Sequence, residues 1–79
     1  KTLALQDVYG RIRKTLLDLS TEKDGDTVIE EKLTQQDIAN RIGSSREMVA
    51  RILKDLATGG YIEIERKQFR ILKKLPESY

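Results

Sequence analysis

Apolar residues recur at helical spacing over residues 3–20 (LALQDVYGRIRKTLLDLS), where Leu5, Val8, Tyr9, Ile12, Leu16 and Leu19 share one face. Arg11, Arg13 and Lys14 fall mostly outside that face, which predicts an amphipathic scaffold helix. Gly10 weakens it and would permit close packing of a neighbour. Residues 20–27 (STEKDGDT) are polar around a glycine and read as a loop, and the β-branched run Thr27, Val28, Ile29 reads as a short strand. A second helix is predicted over QQDIANRI, residues 35–42. Thr34 is placed to cap it, Asp37 favours its N-terminus by charge, Ile38, Ala39 and Ile42 form its apolar face, and Gly43 suits a left-handed stop.

A third helix follows almost at once, capped by Ser44 or Ser45, with Glu47 in its first turn as a capping-box partner, and runs to about Thr58 before Gly59 and Gly60. The period then changes to two. In YIEIE and QFRIL, Ile62 and Ile64 share a face with Phe69 and Ile71, so a hairpin pairs Ile64 with Phe69, Glu63 with Arg70, and Ile62 with Ile71. Its tip, Arg66-Lys67, lacks the Gly or Asn that a two-residue turn prefers, so a longer or distorted loop is expected there. The tail after Pro76 (ESY) reads as loose.

The third helix is two-faced. At about 100° per residue from Arg46, the residues Ile52, Leu56, Val49 and Leu53 lie between roughly 240° and 340°. Arg46, Ala50, Lys54, Glu47 and Arg51 lie between roughly 0° and 140°. From Gln35 onward, Ile38, Ala39, Ile42, Gly43, Val49 and Ile52 supply the packing residues, the small crossing residue and the turn glycine of a helix-turn-helix. With the terminal hairpin, this predicts an α+β winged helix-turn-helix: helices, a small antiparallel sheet and a C-terminal β-hairpin wing.

Composition narrows the function. The 79 residues suffice for one domain, residues 1–79. They contain no cysteine and no histidine, which removes disulfides, thiolate metal sites, the commonest general base and the usual nucleophile pairs. No glycine-rich phosphate loop or acidic cluster replaces them, so neither an enzyme nor a cofactor or metal site is expected. Apolar runs are too short to span a membrane, and the lack of cysteine and of a signal peptide fits a cytoplasmic location. The chain starts at Lys1, which suggests a fragment or a processed product.

The net charge of +2 divides unevenly: residues 1–39 carry six Lys/Arg against eight Asp/Glu, and residues 40–79 carry nine against five. The excess positive charge therefore lies in the half that holds the third helix; on charge alone this fits a solvated surface as well as it fits duplex DNA. Arginine forks match the O6 and N7 acceptors of guanine and a carboxylate can accept from the N4 amine of cytosine, which makes Arg46, Glu47 and Arg51 the candidate base readers on a recognition helix of about 45–58. Thr34, Gln35, Gln36 and Ser45, near helix N-termini, suit phosphates, with Lys54 further along the same face and Arg66 and Lys67 on the wing. The rival reading is a winged-helix module that binds an acidic protein without reading DNA sequence.

The pattern DVYGRIRKTLLDLS…LTQQDIANRIGSSREMVARILKDLATGGYIEI resembles the C-terminal DNA-binding domain of the cyclic-AMP receptor/fumarate-nitrate regulator family of bacterial transcription factors, over roughly residues 5–72. The resemblance implies that Arg46, Glu47 and Arg51 contact bases of an inverted-repeat operator, and that Gln35, Gln36, Ser45 and Lys54 lie at or near the backbone. Arg46 and Ala50 resemble the cyclic-AMP receptor branch, which implies TGTGA-like half-sites. It further implies a parent protein with an N-terminal sensor domain for a cyclic nucleotide or other effector, a dimerisation helix whose trailing edge is residues 1–6, a homodimer, and contact with RNA polymerase. Three features depart from that branch: Met48 stands where it has a threonine, the 20–27 segment is shorter than the one that touches polymerase, and the wing tip lacks a glycine.

Overall fold

The computed structural model describes residues 3–79. Three helices, α1 (Leu5–Leu19), α2 (Gln35–Ile42) and α3 (Arg46–Thr58), pack with four strands, β1 (Thr21–Lys23), β2 (Asp26–Ile29), β3 (Ile62–Glu65) and β4 (Gln68–Ile71). The strands form one antiparallel sheet in the order β1-β2-β4-β3, so β2 and β4 are central and the winged helix is complete. The expected hinge edge at residues 1–6 falls partly on residues 1 and 2, which lie outside the described residues. Of the rest, α1 takes in residues 5 and 6.

One core serves all the elements. Val8, Tyr9, Ile12 and Leu16 of α1 meet Ile38, Ala39 and Ile42 of α2, Val49, Ile52, Leu53 and Leu56 of α3, and Ile29, Ile62 and Phe69 of the sheet. Leu33 and Leu75 join them, although neither belongs to a helix or strand. Leu5, Leu19 and Ile71 are only half-buried, at the rim of this core.

Four expectations need correction. Residues 20–27 are not a loop: Thr21↔Val28, Glu22↔Thr27 and Lys23↔Asp26 pair as a hairpin closed by Asp24 and Gly25, both at positive φ (53° and 85°). Asp-Gly is among the strongest two-residue turn signals. The wing keeps the expected register, yet its tip is a tight two-residue turn with Arg66 at φ 54° and Lys67 at φ 68°. Left-handed backbone costs such residues about 1–2 kcal/mol each. The tip is held from outside, because Leu33 N–H donates to the Lys67 carbonyl at 2.9 Å and Gln68 Nε2 donates to the Glu30 carbonyl at 3.0 Å.

Gly10 receives no neighbouring element: beyond its own stretch of helix, no atom lies within 4 Å of where its Cβ would stand. Nor is the tail loose. Leu75 is buried, Tyr9 Oη donates to the Pro76 carbonyl, and the rings of Tyr9 and Tyr79 stack at 5.6 Å. The chain thus returns across α1 and α3 after leaving the sheet.

Candidate nucleic-acid interface

The helix-turn-helix is built by its caps. Thr34 and Asp37 form a reciprocal capping box at the start of α2, with Asp37 N–H donating to Thr34 Oγ1 and Thr34 N–H donating to Asp37 Oδ2, both at 2.9 Å. Gly43 then takes the left-handed conformation (φ 73°, ψ 40°) that ends α2 within one residue. Arg11 reaches from α1 to this turn and donates from Nη1 to the Ile42 carbonyl at 2.8 Å. A carbonyl left over at a helix C-terminus is thereby satisfied by a charged donor, which is also favourable to the helix dipole.

Between the two serines, Ser45 is the cap of α3, and its hydroxyl accepts from Met48 N–H at 3.2 Å. That shifts the expected box by one residue: Met48 occupies the third helical position, and Glu47 is not a capping partner. The Glu47 side chain is instead 79% exposed, with Arg46 Nη2 at 3.9 Å as its charged neighbour. An exposed pair at that separation contributes little, about 0–1 kcal/mol at most, so both heads are open to other partners.

Arg46, Glu47, Arg51 and Lys54 all lie on the exposed side of α3, opposite the buried Val49, Ile52, Leu53 and Leu56. A groove separates this side from the wing. Thr34, Gln35, Gln36, Arg46 and Lys67 line it, over a floor of Leu33, Leu53, Ile64 and Phe69. The structure therefore brings five of the ten candidate polar residues to one groove, while Ser45 and Glu47 stand exposed at the start of α3 outside its lining. Arg66, at the wing tip, and Lys54, further along α3, are exposed but do not line the groove. Gln36 Nε2 donates to Asn40 Oδ1 at 2.9 Å, which ties up part of its amide.

Sequence reasoning missed two parts of this surface. Ile64, expected in the apolar face of the wing, is 41% exposed and faces the groove. It sits one pleat beyond Ile62, where the helices no longer cover the sheet, so the alternation gave its side but not its depth. Arg51 stands apart from the groove, beside Tyr79. The Tyr79 phenol is raised above its ordinary pKa by its hydrogen bond to Asp55, then by partial burial and the Asp55 charge, while the neighbouring Arg51 guanidinium acts in the opposite direction.

The capping box also sets a pH dependence. The Asp37 carboxyl is held below the usual carboxylate range, first by the Thr34 backbone N–H, then by the Thr34 hydroxyl. A depressed acid contributes stability that is fully present above its unfolded pKa, near pH 4, and is lost as pH falls through the lower folded value. Protection of the Thr34 amide against exchange, taken relative to an unstructured amide at the same pH and followed from about pH 5 downward, is expected to fall in that window as the box opens. Asp37→Asn is expected to remove that pH dependence; protection of the Thr34 amide that stays constant into acid in the unaltered protein would mean that the box does not hold the helix start.

Among the described residues, no group of His, Cys, Asp or Glu is arranged to hold a metal ion, and no helix is long and apolar enough to cross a membrane. Comparison with known proteins gives a consistent result. Residues 10–75 match the family model of the Crp-like helix-turn-helix domain. The chain is 43% identical over 68 residues to the cAMP-activated global transcriptional regulator Vfr of Pseudomonas aeruginosa, covering 82% of this chain and 32% of that protein. It is 40% identical over 73 residues to a CRP-like cAMP-activated global transcriptional regulator of Mycobacterium tuberculosis, covering 87% of this chain and 33% of that one. Its fold matches the reduced Fe(II) CO-sensing protein from R. rubrum with a TM-score of 0.74 at 28% identity, over 87% of this chain and 33% of that one. The chain thus spans about a third of the length of the curated relatives it matches.

Proposed function

Because the chain belongs to the Crp-like helix-turn-helix family, we propose that it binds double-stranded DNA in transcription regulation, with α3 entering the major groove. The curated relatives are named as transcriptional regulators, in keeping with a binding role rather than an enzymatic one. One observation carries the reading furthest. Arg46 and Glu47 open the first turn of α3 with exposed heads held only by each other, at 3.9 Å, beside a groove edged by the capped start of α2 and by Lys67 of the wing.

In this reading Arg46, Glu47 and Arg51 read base edges of an inverted-repeat, TGTGA-like operator. Thr34, Gln35, Gln36, Ser45, Lys54, Arg66 and Lys67 meet the phosphate backbone and set the docking register. The strained wing tip supports this division, since Arg66 and Lys67 occupy backbone that Asn-Gly would hold at lower cost. Residues 1–79 act as one DNA-binding domain of a longer protein, whose sensor domain binds an effector and whose dimer helix pairs two copies on the two half-sites. Polymerase contact belongs to the same reading, through a surface other than the base-reading side of α3.

The test is fluorescence anisotropy on three labelled duplexes: a TGTGA inverted repeat, a fumarate-nitrate-type site and a scrambled control, each titrated at several salt concentrations. Tighter binding to the TGTGA duplex that persists as salt rises supports base readout. Equal binding to all three that fades with salt leaves only the phosphate contacts. No binding at low salt would transfer the proposal to a module that docks on an acidic protein.

A further inference from the structure

The tail lies where it can govern one of the base-reading side chains. Tyr9 Oη holds the Pro76 carbonyl, Tyr79 stacks on Tyr9 at 5.6 Å, and Tyr79 Oη donates to Asp55 Oδ2. Asp55 lies four residues after Arg51 on α3, a spacing at which helical side chains of opposite charge pair. Among the described residues, Arg51 and Asp55 form no ion pair within 4 Å; the carboxylate is engaged by the phenol instead.

We propose that Tyr79 is a positioning residue for Arg51: by holding Asp55, it denies the arginine its intrahelical partner and leaves the guanidinium available to DNA. The inference rests on the reading of Arg51 as a base contact. Tyr9 supplies the rigidity, since its ring is buried at the base of the stack and its hydroxyl fixes the backbone three residues before Tyr79. Arg51 stands at this junction by its place one helical turn before Asp55 on α3, and its guanidinium acts on the phenol as a weaker influence than Asp55. A carboxylate released from Tyr79 would draw Arg51 down the helix, and each DNA contact would first have to break that pair.

Tyr79→Phe separates the hydroxyl from the ring, keeping the stack on Tyr9 while freeing Asp55. In the protein without DNA, the Arg51 Nε–H followed by NMR is expected to exchange more slowly in Tyr79→Phe, as the Asp55 pair forms, and to return to its original rate in Tyr79→Phe/Asp55→Asn. On the preferred duplex, discrimination at the base pair that Arg51→Ala identifies is expected to fall about twofold in Tyr79→Phe, the size of one exposed i,i+4 pair, and to recover in the double variant. Unchanged Arg51 exchange in Tyr79→Phe overturns the positioning role, as does a loss of discrimination that Asp55→Asn fails to restore. If Arg51→Ala leaves discrimination intact at every base pair, the base contact itself is wrong and the positioning role falls with it, a result distinct from failure of Tyr79→Phe alone.

Discussion

Ile52→Ala is expected to cost about 2–5 kcal/mol of folding stability, as large an effect as an alanine on α3 can have. Ile52 is fully buried on the side of the helix that faces α1, α2 and the sheet. Truncation there removes apolar area and leaves a cavity that the surrounding side chains can only partly close. Marginal stability makes the loss severe. At about 0.05–0.15 kcal/mol per residue, a chain of this size has only some 4–12 kcal/mol in total. Each kcal/mol moves the melting temperature of such a domain by about 4–8 °C. Thermal and urea unfolding would measure the effect, and a loss under about 1 kcal/mol would mean that α3 is not anchored through this face. Arg46→Ala and Lys54→Ala, on the opposite face, are expected to stay within about 0.5 kcal/mol of the original stability.

The complementary result is expected on DNA. Arg46→Ala should weaken binding to the preferred duplex by roughly 1–3 kcal/mol, about 5- to 150-fold, while relaxing the preference at a single base pair. The arginine gives up little to reach a base, because its neighbour Glu47 is 3.9 Å away and both heads are exposed. Lys54→Ala should act differently. As a phosphate contact it is expected to weaken all duplexes alike and to lower the salt slope by about one. Anisotropy titrations on the three duplexes distinguish these patterns. A uniform loss across sequences in Arg46→Ala would reassign that residue to the backbone.

The three helices were legible in the sequence through their apolar stripes, and α2 and α3 also through their ends: Thr34 and Asp37 at one helix start, Gly43 at its stop, Ser45 at the next start. The first hairpin was not. Every residue of β1 is exposed, so no apolar alternation marks it as a strand, and it exists through pairing with β2. Asp24-Gly25 was the one local signal, and the polar character of the surrounding residues obscured it. At the wing tip, turn chemistry pointed to a longer loop, but ladder pairing as far as Glu65↔Gln68 leaves only two residues to close the strands. The hydrogen bond from Leu33 then steadies a conformation that the local sequence disfavours.

Of the candidate interface, the exposed side of α3 could be read from spacing alone. The groove could not, because Lys67 and Arg46 meet across it only after the wing has folded back on the helices. The contact of Tyr79 with Asp55 was equally hidden. It joins residues 24 apart in sequence and depends on Tyr9, a further 46 residues upstream of Asp55, to seat the ring.

The bond from Arg11 to the Ile42 carbonyl bears on how far this helix pair can be treated as a portable cassette. Residues 34–58 contain both helices and the turn glycine, yet the donor that satisfies the end of α2 comes from outside them. The core into which Val49 and Ile52 pack also takes Val8, Tyr9, Ile12 and Leu16 from α1. A graft of that segment into a foreign scaffold would transfer the amino acids that face DNA while losing the strut that fixes the angle between the helices. Borrowing the specificity of α3 therefore means borrowing α1 with it.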